Sequence, residues 1–385
     1  MRSIRLGDFK LTAPYVKKLT EQIDSCADLT DRAILTAELG CYWARVGEFD
    51  EAERLRVALR AGFGDGRDIR VSILIMCVEG LLLYFRELSP DAQDRLARAK
   101  LLSDASGDKQ LIALTSAWLA HIHFNNNNYE AMAKAISACL VALKNTNLSA
   151  LCRVAMLLGD AHLYSGNPLI AQAWYEKARD SALLLGDQAF VGALIYNRSA
   201  LRVFLARVAA ADVEQAEDYV RLLSGEVKSA INYQCVARLR SLDHLLATSK
   251  IGVLMLQARF MAARGEIQTL LNSPDVKPLC SQALILRTDL ALCYAKTDQF
   301  ILATDVIDEV CSVGFEKCDV GDQVLIYGSL KEAYRCCGLT QFAEHIEQKL
   351  VDALVNHRRN SVALSELIAP FASVAILARF QPGAP

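Results

Sequence analysis

Two histidines with one residue between them, His121 and His123, are the first pair in this 385-residue chain whose types suggest metal chemistry. Residues two apart on a helix lie about 200° apart around its axis, whereas ligand pairs on helices sit three or four apart. The spacing therefore argues against a shared metal ion. Cys336-Cys337 and the Cys311/Cys318 pair match no CxxC spacing used for zinc or redox work. They read as small buried hydrophobes, with Cys337 beside the turn residue Gly338 the best placed for partial exposure. Asp160 and His162 are the nearest approach to an acid–base pair, but they too stand two apart. No Walker A loop, dinucleotide glycine turn, HExxH or nucleophile elbow occurs. The reading is a protein that is not an enzyme, with no catalytic residue, no metal and no cofactor.

The elements that carry these residues follow a repeat. Leu39-Gly40, Gly80, Leu119-Ala120 and Leu158-Gly159 occupy one equivalent small-residue position, in steps of 40, 40 and 39 residues. A period of that size marks helix pairs that each bury their apolar face against the next pair. In the clearest unit, Leu158 to Ala182, the marked places hold Leu158, Gly159, His162, Gly166, Ala171, Tyr175 and Ala178. The first holds Leu39, Gly40, Trp43, Gly47, Phe49 and Ala52; later ones hold Leu290, Ala291, Tyr294, Phe300, Ala303 and Ile307, then Leu330, Tyr334, Gly338, Ala343 and Leu350. Small residues let two antiparallel helices approach closely, glycine serves where a helix stops, and the flat aromatics fill the groove between helices.

On these residues the chain resembles the tetratricopeptide repeat (TPR) superfamily, in its roughly 40-residue variety, over most of residues 31–355. The resemblance implies an all-α fold, a right-handed TPR-like superhelical solenoid of about eight antiparallel helix pairs. An N-terminal capping helix is expected in residues 1–30 and an apolar C-terminal capping helix and tail in 356–385. Between about 205 and 255 the array becomes irregular. The small-residue positions are placed near Phe204 and Ala258, with Ala216 and Gly265 in support, and a longer loop or extra helix is expected within Gly225–Lys250. The joints Gly107-Asp108 and Gly186-Asp187 each end one helix and start another.

Composition narrows the function classes. With 42 basic and 44 acidic residues the net charge is −2, without a long run of one sign, so no nucleic-acid partner is expected. The N-terminus lacks the apolar stretch of a secretory signal, and the 12 cysteines read as reduced thiols of a cytoplasmic protein. Residues 361–380 are apolar but broken by Glu366 and Pro370, which argues against a stable membrane span. That segment is expected to cover the last helix pair; the alternative is docking in a neighbour's groove, giving a homodimer or autoinhibition.

In TPR arrays the first helix of each pair lines a concave wall. The resemblance would place Arg45, Tyr84, Phe85, His121, Phe124, Asn125, Arg153, Met156, Asp160, Tyr164 and Arg198 there. Aromatics and arginines anchor peptides, asparagine pairs with extended backbone, and Arg153 and Arg198 suit a partner's carboxylate. The Lys/Asn clamp of chaperone-tail-binding members is missing, since Ala37 and Cys41 hold the corresponding positions. The expected function is a scaffold or adaptor that recognises a protein or peptide segment in this groove. The alternative is a regulator, of transcription or of a defence system, that changes conformation on sensing a ligand or peptide.

Overall fold

The computed structural model describes residues 13–87, 89–213, 215–273 and 281–372. Among them the chain forms seventeen α-helices and no strand. The first nine are α1 (Pro14–Ser25), α2 (Leu29–Val46), α3 (Phe49–Phe63), α4 (Ile69–Glu87), α5 (Asp91–Ser106), α6 (Lys109–Asn125), α7 (Tyr129–Ala142), α8 (Leu148–Tyr164) and α9 (Pro168–Leu185). They are followed by α10 (Gln188–Ala210), α11 (Glu217–Ala237), α12 (Asp243–Leu256), α13 (Phe260–Leu271), α14 (Ser281–Ala295), α15 (Phe300–Val313), α16 (Val320–Cys336) and α17 (Thr340–Ile368).

The chain divides into two compact units. Unit 1 comprises residues 1–194, 234–241 and 364–385; unit 2 comprises 195–233 and 242–363. In unit 1, α2 packs on α3, α4 on α5, α6 on α7 and α8 on α9, while α2 also meets α4 and α6 meets α8. In unit 2, α12 packs on α13, α14 on α15, and α14 also on α16.

The repeated small residues sit where these helices come closest. A Cβ on Gly80 would fall 2.7 Å from Leu96 of α5, and one on Gly159 would fall 2.5 Å from the Tyr175 ring of α9. A Cβ on Gly40 would lie 3.2 Å from Val78 of α4. Both Gly-Asp joints follow one logic. Gly107 and Gly186 end α5 and α9 in the left-handed region, at φ 68° and 78°, which costs glycine nothing. The aspartate then caps the next helix: Asp108 accepts from the amides of Gln110 and Leu111, and Asp187 from that of Phe190.

The irregular centre departs from the expected register. Phe204 occupies no small-residue position; its ring lies where a Cβ on Gly321 would come within 2.5 Å. Ala258 follows α12 at φ 53°, in the left-handed region. The close approach in this stretch belongs to Gly252, whose added Cβ would meet Val203 at 2.7 Å. The expected extra element within 225–250 is a break at 238–242 between α11 and α12. There Arg240 donates its amide to the Val46 carbonyl and Ser241 its hydroxyl to that of Arg45, within unit 1.

At the ends, α1 buries Tyr15, Val16 and Leu19 and packs on α2, which starts at Leu29. The boundary expected at 355/356 falls inside the single long helix α17. Leu364, Ile368 and Phe371 join the unit 1 core around Met156, Leu158 and Trp174, so the described part of the apolar C-terminal stretch is packed internally. Residues 1–12 and 373–385 of the two expected capping segments lie outside the described residues. Among the described residues one helix, α10, is long and apolar enough to cross a membrane. Its Phe190 and Leu194 belong to the unit 1 core and its Val203, Ala206 and Val208 to unit 2 clusters.

Candidate functional site

The C-terminal halves of α4 and α6 and the first turns of α8 and α10 bring the chemistry-bearing side chains of unit 1 together. Trp118, His121 and Asn125 lie three and four residues apart on α6 and share one face. Tyr84 of α4 meets that face. Its hydroxyl accepts a hydrogen bond from Asn125 Nδ2 and lies 3.3 Å from His121 Nε2. The Tyr84 and His121 rings stand edge to face at 5.7 Å, and Phe85 and Trp118 do so at 6.2 Å. Further along the same helices, Phe124 meets Tyr164 of α8 edge to face at 6.3 Å. Aromatic contacts thus run from α4 through α6 to α8.

Arg153 enters this cluster from α8. Its guanidinium carbon stands 3.8 Å from the centre of the Trp118 ring and 4.8 Å from that of Phe190. Arg45 of α2 binds Asp187 at 2.6 Å, and Asp187 uses its other oxygen to cap α10. Burial, followed by the like charge of Arg45, pulls the Arg153 pKa down to about 9. Burial and then Arg153 hold His121 well below the usual histidine range, so its ring is neutral. Burial raises the Tyr84 hydroxyl against the opposing pull of Arg153. Arg45 is also pulled down by burial, but Asp187 outweighs that and raises it. Asp187 therefore answers one of two neighbouring buried cations.

Several expected wall residues are buried rather than exposed. Asn125 is exposed, and Tyr84, Phe85, Phe124 and Tyr164 are half-buried; Arg45 keeps only 9% of its side chain exposed. His121, Arg153, Met156 and Asp160 are buried instead. Met156 is core, because both faces of α8 are packed, on α6 and on α9. Asp160 accepts a hydrogen bond from the Tyr175 hydroxyl at 2.8 Å, which ties α8 to α9. Arg198 belongs to unit 2, where with Arg202 it faces Glu226.

His162 is 1% exposed and neither ring nitrogen has a hydrogen-bond partner, so it makes no acid–base pair with Asp160. Burial drops its pKa to about 4. His123 is half-buried with an unpartnered Nδ1. Cys311 is exposed with its sulfur 3.6 Å from the Tyr334 hydroxyl, while Cys318, Cys336 and Cys337 are half-buried.

Three participants escaped sequence reasoning. Trp118 carried a usable signal, since it stands at i−3 from His121 and i−7 from Asn125. Asp187 was visible as half of a Gly-Asp joint, but its ion pair spans 142 residues and has no local trace. Phe190 looks like any apolar residue in a helix's first turn.

Unit 2 holds a different arrangement. Arg207 of α10 binds Asp289 of α14 at 2.7 Å, and Ser329 of α16 donates to the same oxygen at 2.7 Å. Beside it opens a pocket of about 880 Å³, walled by Met255, Phe260 and Leu292 and edged by Arg207, Lys296 and Ser329.

No protein-family model matches the chain, and no curated protein is significantly similar to it.

Proposed function

We propose that the chain is a TPR-type helical-repeat protein of the cytoplasm that works by recognition, holding a segment of a protein partner against the α4–α6–α8 face of unit 1. The observation that carries this reading is the run of aromatic contacts across those three helices, edged by the exposed amide of Asn125. Half-buried rings anchor a partner with little loss of side-chain freedom, and a carboxamide can pair with extended backbone. The 40-residue steps and the close approaches at Gly40, Gly80 and Gly159 support the TPR assignment.

Peptide display against the intact protein, followed by titration of selected peptides, tests the reading. Phe124→Ala and Tyr164→Ala should weaken binding about 10-fold or more, while urea unfolding keeps a cooperative transition. Unchanged affinity in both variants would move the site off this face.

The unit 2 pocket favours a second reading, a sensor of a small ligand. Its volume of about 880 Å³ falls within the usual range for small-molecule sites. A ligand that protects the amides of α12 and α13 from hydrogen exchange would support this reading over a pure adaptor.

A further inference from the structure

Arg153 is 3% exposed, and among the described residues its guanidinium forms no hydrogen bond and no ion pair; its Nε is buried without a partner. The neighbours that hold it are rings, Trp118 and Phe190. Rings favour a cation, yet they satisfy none of the five N–H donors that arginine presents. Buried arginines elsewhere in the fold are treated differently, for Arg45 has Asp187 and Arg207 has Asp289.

The charge count around Arg153 is short by one. The carboxylate whose charge acts on Arg153 is Asp187, and its two oxygens are taken by Arg45 and by the α10 cap. The remaining groups at the cluster are uncharged: Tyr84, Cys152 and the neutral His121, whose Nδ1 is also buried without a partner. A buried charge without a counter-charge is destabilising, and orphaned donors add to that cost. A monoanion with two acceptor oxygens would remove both defects, because a carboxylate matches the guanidinium fork. A phosphate dianion would bring both of its charges to the fork, whereas each carboxylate group brings one.

We propose that Arg153 is the receptor for an acidic side chain, aspartate or glutamate, carried within the partner segment. This rests on the peptide-recognition reading above and assigns its central contact. The side chain inserts beside Trp118 and pairs with the Arg153 fork, while His121 Nδ1 and the Tyr84–Asn125 pair supply neutral polar neighbours.

The test uses the full chain, with Arg153→Met and Arg153→Lys beside it. Melting temperatures are compared in sodium succinate, sodium phosphate and sodium chloride at equal ionic strength. Peptides selected by display are then titrated as Glu or Gln versions, with free or amidated C-termini. Arg153→Met should melt above the natural protein in chloride, because an unanswered charge has been replaced by an apolar chain of similar length. Succinate should raise the melting temperature of the natural protein and not that of Arg153→Met. Replacing the peptide's central Glu by Gln should weaken binding about 10-fold or more to the natural protein and little to the Met variant. Arg153→Lys keeps the charge without the fork and should bind between the two.

If Arg153→Met fails to fold or melts lower, and Arg153→Lys retains full binding, the arginine is a structural cation and the proposal falls. It falls equally if phosphate stabilises while succinate does not, or if binding depends on the free C-terminus and not on the internal Glu. Peptides that bind the natural and Met proteins alike overturn the acidic contact and leave peptide recognition standing. An Arg153-dependent succinate shift without any selected peptide keeps the carboxylate site and overturns the peptide reading.

Discussion

Each unit buries an arginine that reaches it from the wall of a helix, and the two are handled in opposite ways. In unit 2, Arg207 closes on Asp289 with Ser329 in support, so charge and one carboxylate oxygen are answered inside the fold. In unit 1, Arg153 is deeper still, 3% exposed, and rests on Trp118 and Phe190 with no hydrogen bond or ion pair among the described residues. A paired buried charge is answered inside the fold; an unpaired one carries a cost that, in the proposal above, a partner's carboxylate would relieve.

The strongest way to break this contrast is to remove the partner in unit 2. Asp289→Ala would leave Arg207 in the condition of Arg153 without two rings to receive it. Losing one member of a buried pair costs about 3–5 kcal/mol. Urea unfolding followed by hydrogen exchange in α14 and α16 should show that loss in unit 2. A cost below about 1 kcal/mol would mean that Arg207 reaches solvent once freed, and the distinction between the two arginines would lose its meaning.

The repeat offers a smaller test of the same comparison. Gly159→Ala in unit 1 would drive a methyl to 2.5 Å from the Tyr175 ring, and moving that ring breaks its hydrogen bond to buried Asp160. Gly252→Ala in unit 2 meets the stiff Val203 side chain at 2.7 Å. Both should cost about 2–3 kcal/mol, measured as a shift of the urea midpoint at constant slope. A near-neutral Gly252→Ala would show that the unit 2 helices yield where those of unit 1 do not.

What the sequence revealed follows the same division. The steps from Gly40 to Gly159 were legible because glycine recurs where a neighbouring helix comes close, α4 at Gly40, α5 at Gly80 and α9 at Gly159. The centre was not, because the close approach falls at Gly252, six residues before the expected Ala258, and Phe204 took a packing role against Gly321. The aromatic and polar members of the site were legible as types on first helices. Their depth was not, since Arg153 rests on Trp118 and Phe190 from other helices, and Met156 lies in a core that also takes in Leu364, Ile368 and Phe371 from a distant segment. The Arg45–Asp187 pair lies 142 residues apart in sequence, and a charge partner at that separation leaves no pattern to read.

Acid response should also separate the units. His162 in unit 1 is a base whose folded pKa, about 4, lies below its unfolded value near 6.5. The unfolded chain therefore takes up the proton first, and stability present above pH 6.5 is lost as pH falls toward 4. His121 in the same unit is shifted the same way. His162→Phe fills the aromatic place of the repeat and removes two unpartnered ring nitrogens. It should raise stability at pH 7 by about 1–2 kcal/mol and flatten the acid slope of unit 1 without abolishing the part due to His121. An unchanged slope would place the titration elsewhere.

Unit 2 carries the opposite sign at the start of α16. Burial, with Asp319 adding to it, raises Asp322 to about 7, above an unfolded carboxyl near 3.9. The folded chain binds this proton more tightly, so the contribution is fully present below the unfolded value and is lost as pH rises through about 7. His357, depressed by burial, opposes it within the same unit. The net gain on acidification is thus smaller than Asp322 alone would give. Asp322→Asn should mimic the protonated form, stabilising unit 2 at pH 7.5 by about 1 kcal/mol after allowance for partial solvent screening and leaving the pH 5 value nearly unchanged. Hydrogen exchange at both pH values would read the two units separately. A gain equal at pH 5 and 7.5 would show that the carboxyl is not protonated in the folded chain, and both units, left with depressed histidines, would then lose stability on acidification.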